Sequence, residues 1–174
     1  MNETPDPKSF IRVIPERCDG CRRCEIACSM GHCGIPTPER SRIRVLPLPR
    51  SAGFIPVLCQ ACEDAPCLKT CPMNARLRTA TGAVVTDEEV CIGCRACLYI
   101  CPYGAPTVSP DDGKTLTCDR CAGEPGGPWC VAACRGCGAL EALRPEELFP
   151  RGSRAAAQAV RRVLSPPRRR RCAS

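Results

Sequence analysis

The sequence predicts a small α+β fold built from short strands and short helices. Its 174 residues suffice for one or two small domains, and only 3% of them are aromatic, which leaves little apolar material for an ordinary core. Short apolar runs alternate with turn residues along most of the chain. Nineteen cysteines fall mainly into four runs. A chain of this composition is usually stabilised by disulfides or by metal.

The cysteine runs share a spacing that is typical of [4Fe-4S] sites. The third run ends in proline and has the form C-x2-C-x2-C-x3-C-P, as in bacterial iron–sulfur proteins. The first run repeats that spacing, the second has four residues in its middle, and the fourth has eight. The runs are Cys18, Cys21, Cys24 and Cys28; Cys59, Cys62, Cys67 and Cys71; Cys91, Cys94, Cys97 and Cys101; and Cys118, Cys121, Cys130 and Cys134.

Sixteen cysteines of this kind are enough for four [4Fe-4S] clusters. Three cysteines in a short loop can hold three corners of one cubane, so the last cysteine of the third run, Cys101, is expected to ligate a second cluster. Three cysteines belong to none of the four sets, namely Cys33, Cys137 and Cys172. Cys134 keeps the x3 spacing from Cys130 and is the predicted ligand, with Cys137 as an open alternative.

Disulfides and zinc are the competing explanations of the cysteines. A disulfide framework needs an oxidising compartment, and residues 1–10 contain no apolar segment of the kind that directs secretion. Zinc is bound by pairs of C-x2-C motifs, but it gains nothing from a third cysteine or from the Cys-Pro endings at Pro72 and Pro102. The spacing therefore favours iron–sulfur clusters.

Alternating apolar and polar residues predict the strands. The first candidate is an edge strand over 10–14, and a pair at 42–48 and 54–58 precedes the second run. A hairpin joins 76–79 to 83–86 through Thr81-Gly82, and strands at 106–108 and 114–116 flank a turn. The glycine- and proline-rich spacer 122–129 predicts a loop. His32, the only histidine, is expected to lie in a loop rather than on a cluster.

The C-terminal segment has a different character from the rest of the chain. Residues 153–164 place alanine, valine and leucine on one helical stripe and arginines on the other side, and Arg168 to Arg171 follow Pro166-Pro167. Two interpretations stay open. The segment is either a solvated tail or a basic arm that docks on a partner.

The formal net charge of +7 does not predict nucleic-acid binding. Each oxidised cubane with four thiolates carries about −2, so four clusters leave the protein close to neutral. The aromatic platforms of single-strand binders are also missing. No apolar run is long enough to cross a bilayer. We expect a cytoplasmic protein without membrane insertion or nucleic-acid partner, although an iron–sulfur sensor that binds nucleic acid through the arginine tail is a remote alternative.

Several segments resemble one family. These are Cys18-Asp19-Gly20-Cys21-Arg22-Arg23-Cys24, Ser41-Arg42-Ile43-Arg44-Val45, Cys59-Gln60-Ala61-Cys62-Glu63-Asp64-Ala65-Pro66-Cys67 and Cys118-Asp119-Arg120-Cys121. Together they cover roughly residues 10 to 140. The protein resembles the four-cluster ferredoxin-type subunits of dimethyl sulfoxide reductase, formate dehydrogenase, hydrogenase, carbon monoxide dehydrogenase and tungsten-dependent aldehyde oxidoreductase. The short length and the missing signal segment make it look like the last two, soluble types rather than the membrane-facing type.

The resemblance implies two ferredoxin-like dicluster units, one inserted in the other. The outer unit would comprise 10–57 plus 112–150 and the inserted unit 58–111, followed by a basic helix and tail over 151–174. Run one would pair with run four, and run two with run three. The implied ligand sets are Cys18, Cys21, Cys24 and Cys134; Cys118, Cys121, Cys130 and Cys28; Cys59, Cys62, Cys67 and Cys101; and Cys91, Cys94, Cys97 and Cys71.

The implied function is electron transfer without catalysis by this protein itself. The clusters would conduct single electrons between a catalytic oxidoreductase subunit and an acceptor or donor. A tungsten or molybdenum pterin enzyme is the favoured partner, a flavin subunit is a further candidate, and self-association is left open. A ferredoxin associated with carbon monoxide dehydrogenase or hydrogenase is the alternative. No constellation of catalytic side chains with a recognisable context occurs in the sequence.

Overall fold

The computed structural model describes residues 10–49, 53–143 and 147. These residues contain eight short strands and four α-helices, and among these helices only one exceeds two turns. The strands are β1 (Phe10–Val13), β2 (Arg44–Pro47), β3 (Phe54–Val57), β4 (Arg76–Arg78), β5 (Val84–Thr86), β6 (Thr107–Val108), β7 (Thr115–Leu116) and β8 (Leu140–Leu143). The helices are α1 (Arg23–Cys33), α2 (Pro66–Lys69), α3 (Ala96–Tyr99) and α4 (Trp129–Ala133).

The strands form four separate antiparallel pairs. Neighbours in sequence make three of them, β2 with β3, β4 with β5, and β6 with β7. The fourth pair joins β1 to β8, with Ile11 opposite Ala142, and so brings the two ends of the described part together. The seven strands predicted from the sequence are all present as β1 to β7. Residues 122–128 form the expected loop before α4.

Helix α1 is the longest helix of the described residues. It continues past Cys28 to Cys33 and ends at Gly34, which adopts a left-handed conformation with φ of 69°. A glycine at this position is a common helix end, because it has no Cβ to clash. The prediction that His32 lies in a loop is therefore wrong, since His32 occupies the last turn of α1. The helix predicted over 153–164 lies outside the described residues.

Two clusters of buried side chains hold the structure together. The larger joins β1, β2, β8 and the helices α1 and α4 around Ile11, Ile43, Val45, Leu58 and Leu140. The smaller consists of Ala65, Cys67, Val84 and Cys97. Cysteines contribute to both clusters. In the described part of the protein, no helix has both the length and the apolar composition that crossing a bilayer requires.

Candidate iron–sulfur centres

The loops of run one and run three have the same backbone shape. Gly20 and Arg22 in run one have positive φ angles of 77° and 57°, and Gly93 and Arg95 at the equivalent places in run three have 66° and 65°. Alternation of left- and right-handed residues turns successive backbone N–H groups towards one point, which makes a concavity that favours anions such as sulfide and thiolate. The C-x2-C-x2-C spacing is therefore associated with a loop whose backbone is already shaped to bind an anionic group.

Runs two and three meet around two pockets. The run-two pocket, of about 350 Å³, is lined by three cysteines of run two and by one of run three; the four are Cys59, Cys62, Cys67 and Cys101. The run-three pocket, of about 310 Å³, is lined conversely by Cys91, Cys94, Cys97 and Cys71. In both pockets, the cysteine that completes the set comes from the other run.

Electrostatic influences on the pKa values of the cysteines in runs one and four indicate which of these side chains are neighbours. Burial raises the pKa of Cys24 to about 12, and the neighbouring Cys134, Glu25 and Cys18 add to the rise. For Cys18, burial again raises the pKa, with Cys134 and Cys21 among the charges that add to it. We call Cys18, Cys21, Cys24 and Cys134 the run-one group.

The run-four group consists of Cys28, Cys118, Cys121 and Cys130. Burial raises the pKa of Cys130 well above its ordinary value, and Cys118, Cys121 and Cys28 are the next causes. Cys24 of the run-one group also contributes to this rise. The two outer groups are therefore adjacent.

Backbone N–H groups donate to several of the sulfurs. The N–H of Ala61 lies 3.4 Å from Cys59 Sγ, and the N–H of Arg120 lies 3.4 Å from Cys118 Sγ. In the run-four group, Cys28 Sγ accepts from the N–H of Arg42, also at 3.4 Å. Such hydrogen bonds stabilise negative charge on sulfur and are one of the means by which proteins adjust cluster potentials.

The donor set fits an iron–sulfur cluster better than it fits free thiols. Burial raises the pKa of Cys118 far above its ordinary value and that of Cys121 to about 12, so these side chains would be neutral without a cation. Metal ligation requires thiolates. The positive charge of the metal stabilises these thiolates where burial has removed their hydration. Four cysteine sulfurs around one pocket, with N–H donors aimed at them, satisfy that requirement.

Three charged residues near these centres escaped the sequence analysis. Glu25 is 1% exposed, and its Oε1 accepts the N–H of Val45 at 2.6 Å. Arg76 is 4% exposed and lies between the run-two and run-three pockets. Asp119 accepts from Arg42 Nη1 at 2.7 Å and lies 3.5 Å from His32 Nε2. Charged residues are usually exposed, so the sequence does not indicate that these three lie beside the centres. Only the tertiary structure shows where they are.

His32 lies beside the run-four group without being one of the predicted ligands. Its ring packs edge-on against Trp129 at 5.0 Å between centroids. Burial lowers the pKa of His32, and the positive charge of Arg42 adds to the effect. Its ligand atom lies within 4.8 Å of those of Asp119 and Cys121. The buried packing against Trp129 accounts for the position of this side chain.

Comparison with known proteins gives consistent matches. The 4Fe-4S dicluster domain family matches residues 51–142, and the 4Fe-4S binding domain family matches residues 15–31. A polyferredoxin-like subunit of aliphatic sulfonate oxidoreductase from Pyrococcus furiosus is 42% identical over 139 residues, which cover 79% of this chain and 78% of that protein.

Two proteins of Escherichia coli are also similar. The electron transport protein HydN is 34% identical over 145 residues, covering 72% of this chain and 82% of that protein. A subunit of anaerobic dimethyl sulfoxide reductase is 37% identical over 139 residues, covering 70% of this chain and 67% of that subunit.

Proposed function

This chain belongs to the family of 4Fe-4S dicluster proteins, and from that premise we propose that it is an electron-transfer subunit whose four [4Fe-4S] clusters conduct single electrons between a catalytic oxidoreductase subunit and a second redox partner. The clusters supply the one-electron redox chemistry. Cysteines of the four runs, many of them buried, would hold them, and backbone N–H groups would donate to several of the ligating sulfurs. The two relatives from Escherichia coli agree with this role.

One observation carries the proposal: cysteines of two different runs line a common pocket, and they do so at two places. The run-two and run-three pockets each combine three cysteines of one run with one of the other. This crossing supports the ligand sets Cys59, Cys62, Cys67 and Cys101, and Cys91, Cys94, Cys97 and Cys71. Mutual charge effects support the run-one and run-four groups as the other two. In this proposal each cluster has four cysteine ligands, so no iron would be left open for catalysis.

We infer that the four proposed sets lie in a continuous order, as a conductor requires. The run-one and run-four groups are adjacent, and the two inner pockets share Arg76. Between the run-four group and the run-two pocket lies Arg120. Burial lowers the pKa of Arg120, while the charges of Cys118 and Cys59 act in the opposite direction. Its Nη2 also donates to Thr81 O at 2.8 Å, which links run four to the inner hairpin.

We infer two dicluster units, with 58–111 inserted between 10–57 and 112–150. Pairing of β1 with β8 supports this division, because it closes the outer part around the inner one. Helices α1 and α4, which both belong to the outer part, contact each other. Helices α2 and α3 of the inner part also contact each other, which supports the same division. The similarity to subunits of oxidoreductases supports a catalytic partner. A tungsten or molybdenum pterin enzyme is our proposed partner, and a flavin subunit is the proposed second one.

Metal analysis of the native complex tests this function. The complex should be purified anaerobically through this subunit and assayed for iron, sulfide, zinc, tungsten, molybdenum and nickel. We expect about sixteen irons per copy of the subunit, with tungsten or molybdenum in the partner. The Cys33→Ser variant is the control, because Cys33 is exposed and belongs to no set. It should keep all of its iron, whereas zinc without iron would rule out electron transfer.

A further inference from the structure

Arg76 is a buried cation placed between the two inner pockets. It begins β4 and is 4% exposed. Among the described residues, it is the only one that lines both the run-two pocket and the run-three pocket. Every other lining residue belongs to one pocket alone.

The guanidinium is held in place by neutral groups and by a sulfur. Its Nη1 donates to the hydroxyl of Thr86 and, at 2.7 Å, to that of Thr117. Its Nη2 lies 3.9 Å from Cys67 Sγ. Arg76 takes part in none of the ion pairs between described residues. Its positive charge therefore has no carboxylate partner there.

A buried charge without an opposite charge is strongly unfavourable. The cysteines of the two pockets offer the missing compensation, since each set of four thiolates on a cubane carries a net negative charge. The position of Arg76 thus makes physical sense when both pockets hold anionic groups.

We propose that Arg76 is a shared positioning residue of the two inner centres, whose buried charge stabilises the added electron on either of them. Reduction of an oxidised cubane adds one electron and no proton, so the negative charge of the pocket increases by one. A fixed cation in a medium of low dielectric favours that state and raises the reduction potential. The effect is strongest in the run-two pocket, because Nη2 contacts Cys67.

This inference rests on the proposed function, since it requires a cluster in each pocket. The test uses the full-length protein in its native complex, with a redox titration followed by electron paramagnetic resonance. In Arg76→Gln, we expect the equilibrium constant for reduction of an inner cluster to fall about tenfold, which corresponds to about 59 mV for one electron. The outer clusters should change less than threefold.

Two further variants separate charge from structure. Arg76→Lys keeps the charge but loses the paired hydrogen bonds to the two threonines, and it should stay within about threefold of the wild type. Lys69→Gln removes an exposed charge two residues after Cys67 and should also have little effect, because solvent screens it. A shift confined to Arg76→Gln supports the inference.

The opposite outcomes are equally definite. If Arg76→Lys shifts the inner clusters as much as Arg76→Gln, or loses their iron, then Arg76 acts through its hydrogen bonds and the inference is wrong. It is also wrong if Arg76→Gln retains all its iron and its potentials do not move. In both cases the wild type still carries iron, and the proposed function stands. A wild-type protein without iron would instead overturn the proposed function itself.

Discussion

At the scale of single residues, the buried carboxylate of Glu25 connects the first cysteine run to the first hairpin. Its Oε1 accepts the N–H of Val45 in β2, and its Oε2 accepts Nε of Arg22 at 2.5 Å. Arg22 is largely exposed, so that ion pair contributes little by itself. The bond to Val45 matters more, because it satisfies a buried backbone donor that lies between a cluster loop and a strand.

We predict that Glu25→Ala destabilises the protein by about 2–3 kcal/mol, since it leaves the Val45 N–H unpaired in a buried place. The midpoint of thermal cluster loss, followed by visible absorption, should fall by roughly 5–10 °C. Glu25→Gln keeps an acceptor oxygen and should lie between the wild type and Glu25→Ala. Glu16→Ala, at an exposed position, is the matched control. Equal midpoints for Glu25→Ala and Glu16→Ala would refute this role.

At the scale of elements, the contact between α1 and α4 closes the outer part of the structure. Gly31 on α1 faces the Trp129 ring so closely that a Cβ built on it would lie 2.1 Å from ring atom Cε3. A helical Gly→Ala change is ordinarily stabilising by about 1 kcal/mol. Here the ring occupies the required space, so the sign of the effect should reverse.

Gly31→Ala should therefore destabilise by about 1–3 kcal/mol, which is typical of an overpacked contact. Gly126→Ala is the control, because a Cβ there meets no atom within 4 Å. Adding Trp129→Leu to Gly31→Ala should restore part of the loss, since the smaller side chain leaves room. Denaturant titration of the cluster-loaded protein measures all three. Gly31→Ala with wild-type stability would show that the two helices do not pack as described.

Seven of the eight described strands were predicted from the sequence, whereas β8 and the continuation of α1 past Cys28 were not. Alternation indicated the strands, because each short strand has one buried face. In runs two and three, Pro72 and Pro102 follow the last cysteine, and α2 and α3 are single turns. In run one, Ser29 occupies that place, and α1 continues to the glycine at 34. The signal was present in the missing proline and in Gly34.

Buried charges were the least predictable part of the candidate site. The cysteine spacing identifies the candidate ligands, because it follows from local loop geometry, whereas the pairing of the runs came from the resemblance to a family. Glu25 and Arg76 are buried only through segments distant in sequence: Val45 for Glu25, and Thr117 for Arg76. No local pattern distinguishes them from exposed charges, so their roles required the tertiary structure.

At the scale of the whole molecule, the buried interior depends on its cysteines. Of the twenty buried hydrophobic residues among those described, nine are cysteines and none is aromatic. Such a core gains little from apolar burial alone. Its buried cysteines stay protonated and neutral unless a metal centre stabilises their thiolates. Cluster binding should therefore supply much of the folding free energy, as it does in other small metalloproteins.

The central claim is that clusters are shared between runs, and the last cysteine of run three tests it most directly. Cys101 lines the pocket of Cys59, Cys62 and Cys67, whereas Cys71 lines that of Cys91, Cys94 and Cys97. Redox titrations with electron paramagnetic resonance should compare four variants of the full-length protein, Cys67→Ala, Cys101→Ala, Cys71→Ala and Cys97→Ala. We predict that Cys101→Ala alters the same signal as Cys67→Ala, and that Cys71→Ala alters the same signal as Cys97→Ala. If Cys101→Ala instead alters the signal that Cys97→Ala alters, each run holds its own cluster and the account is contradicted.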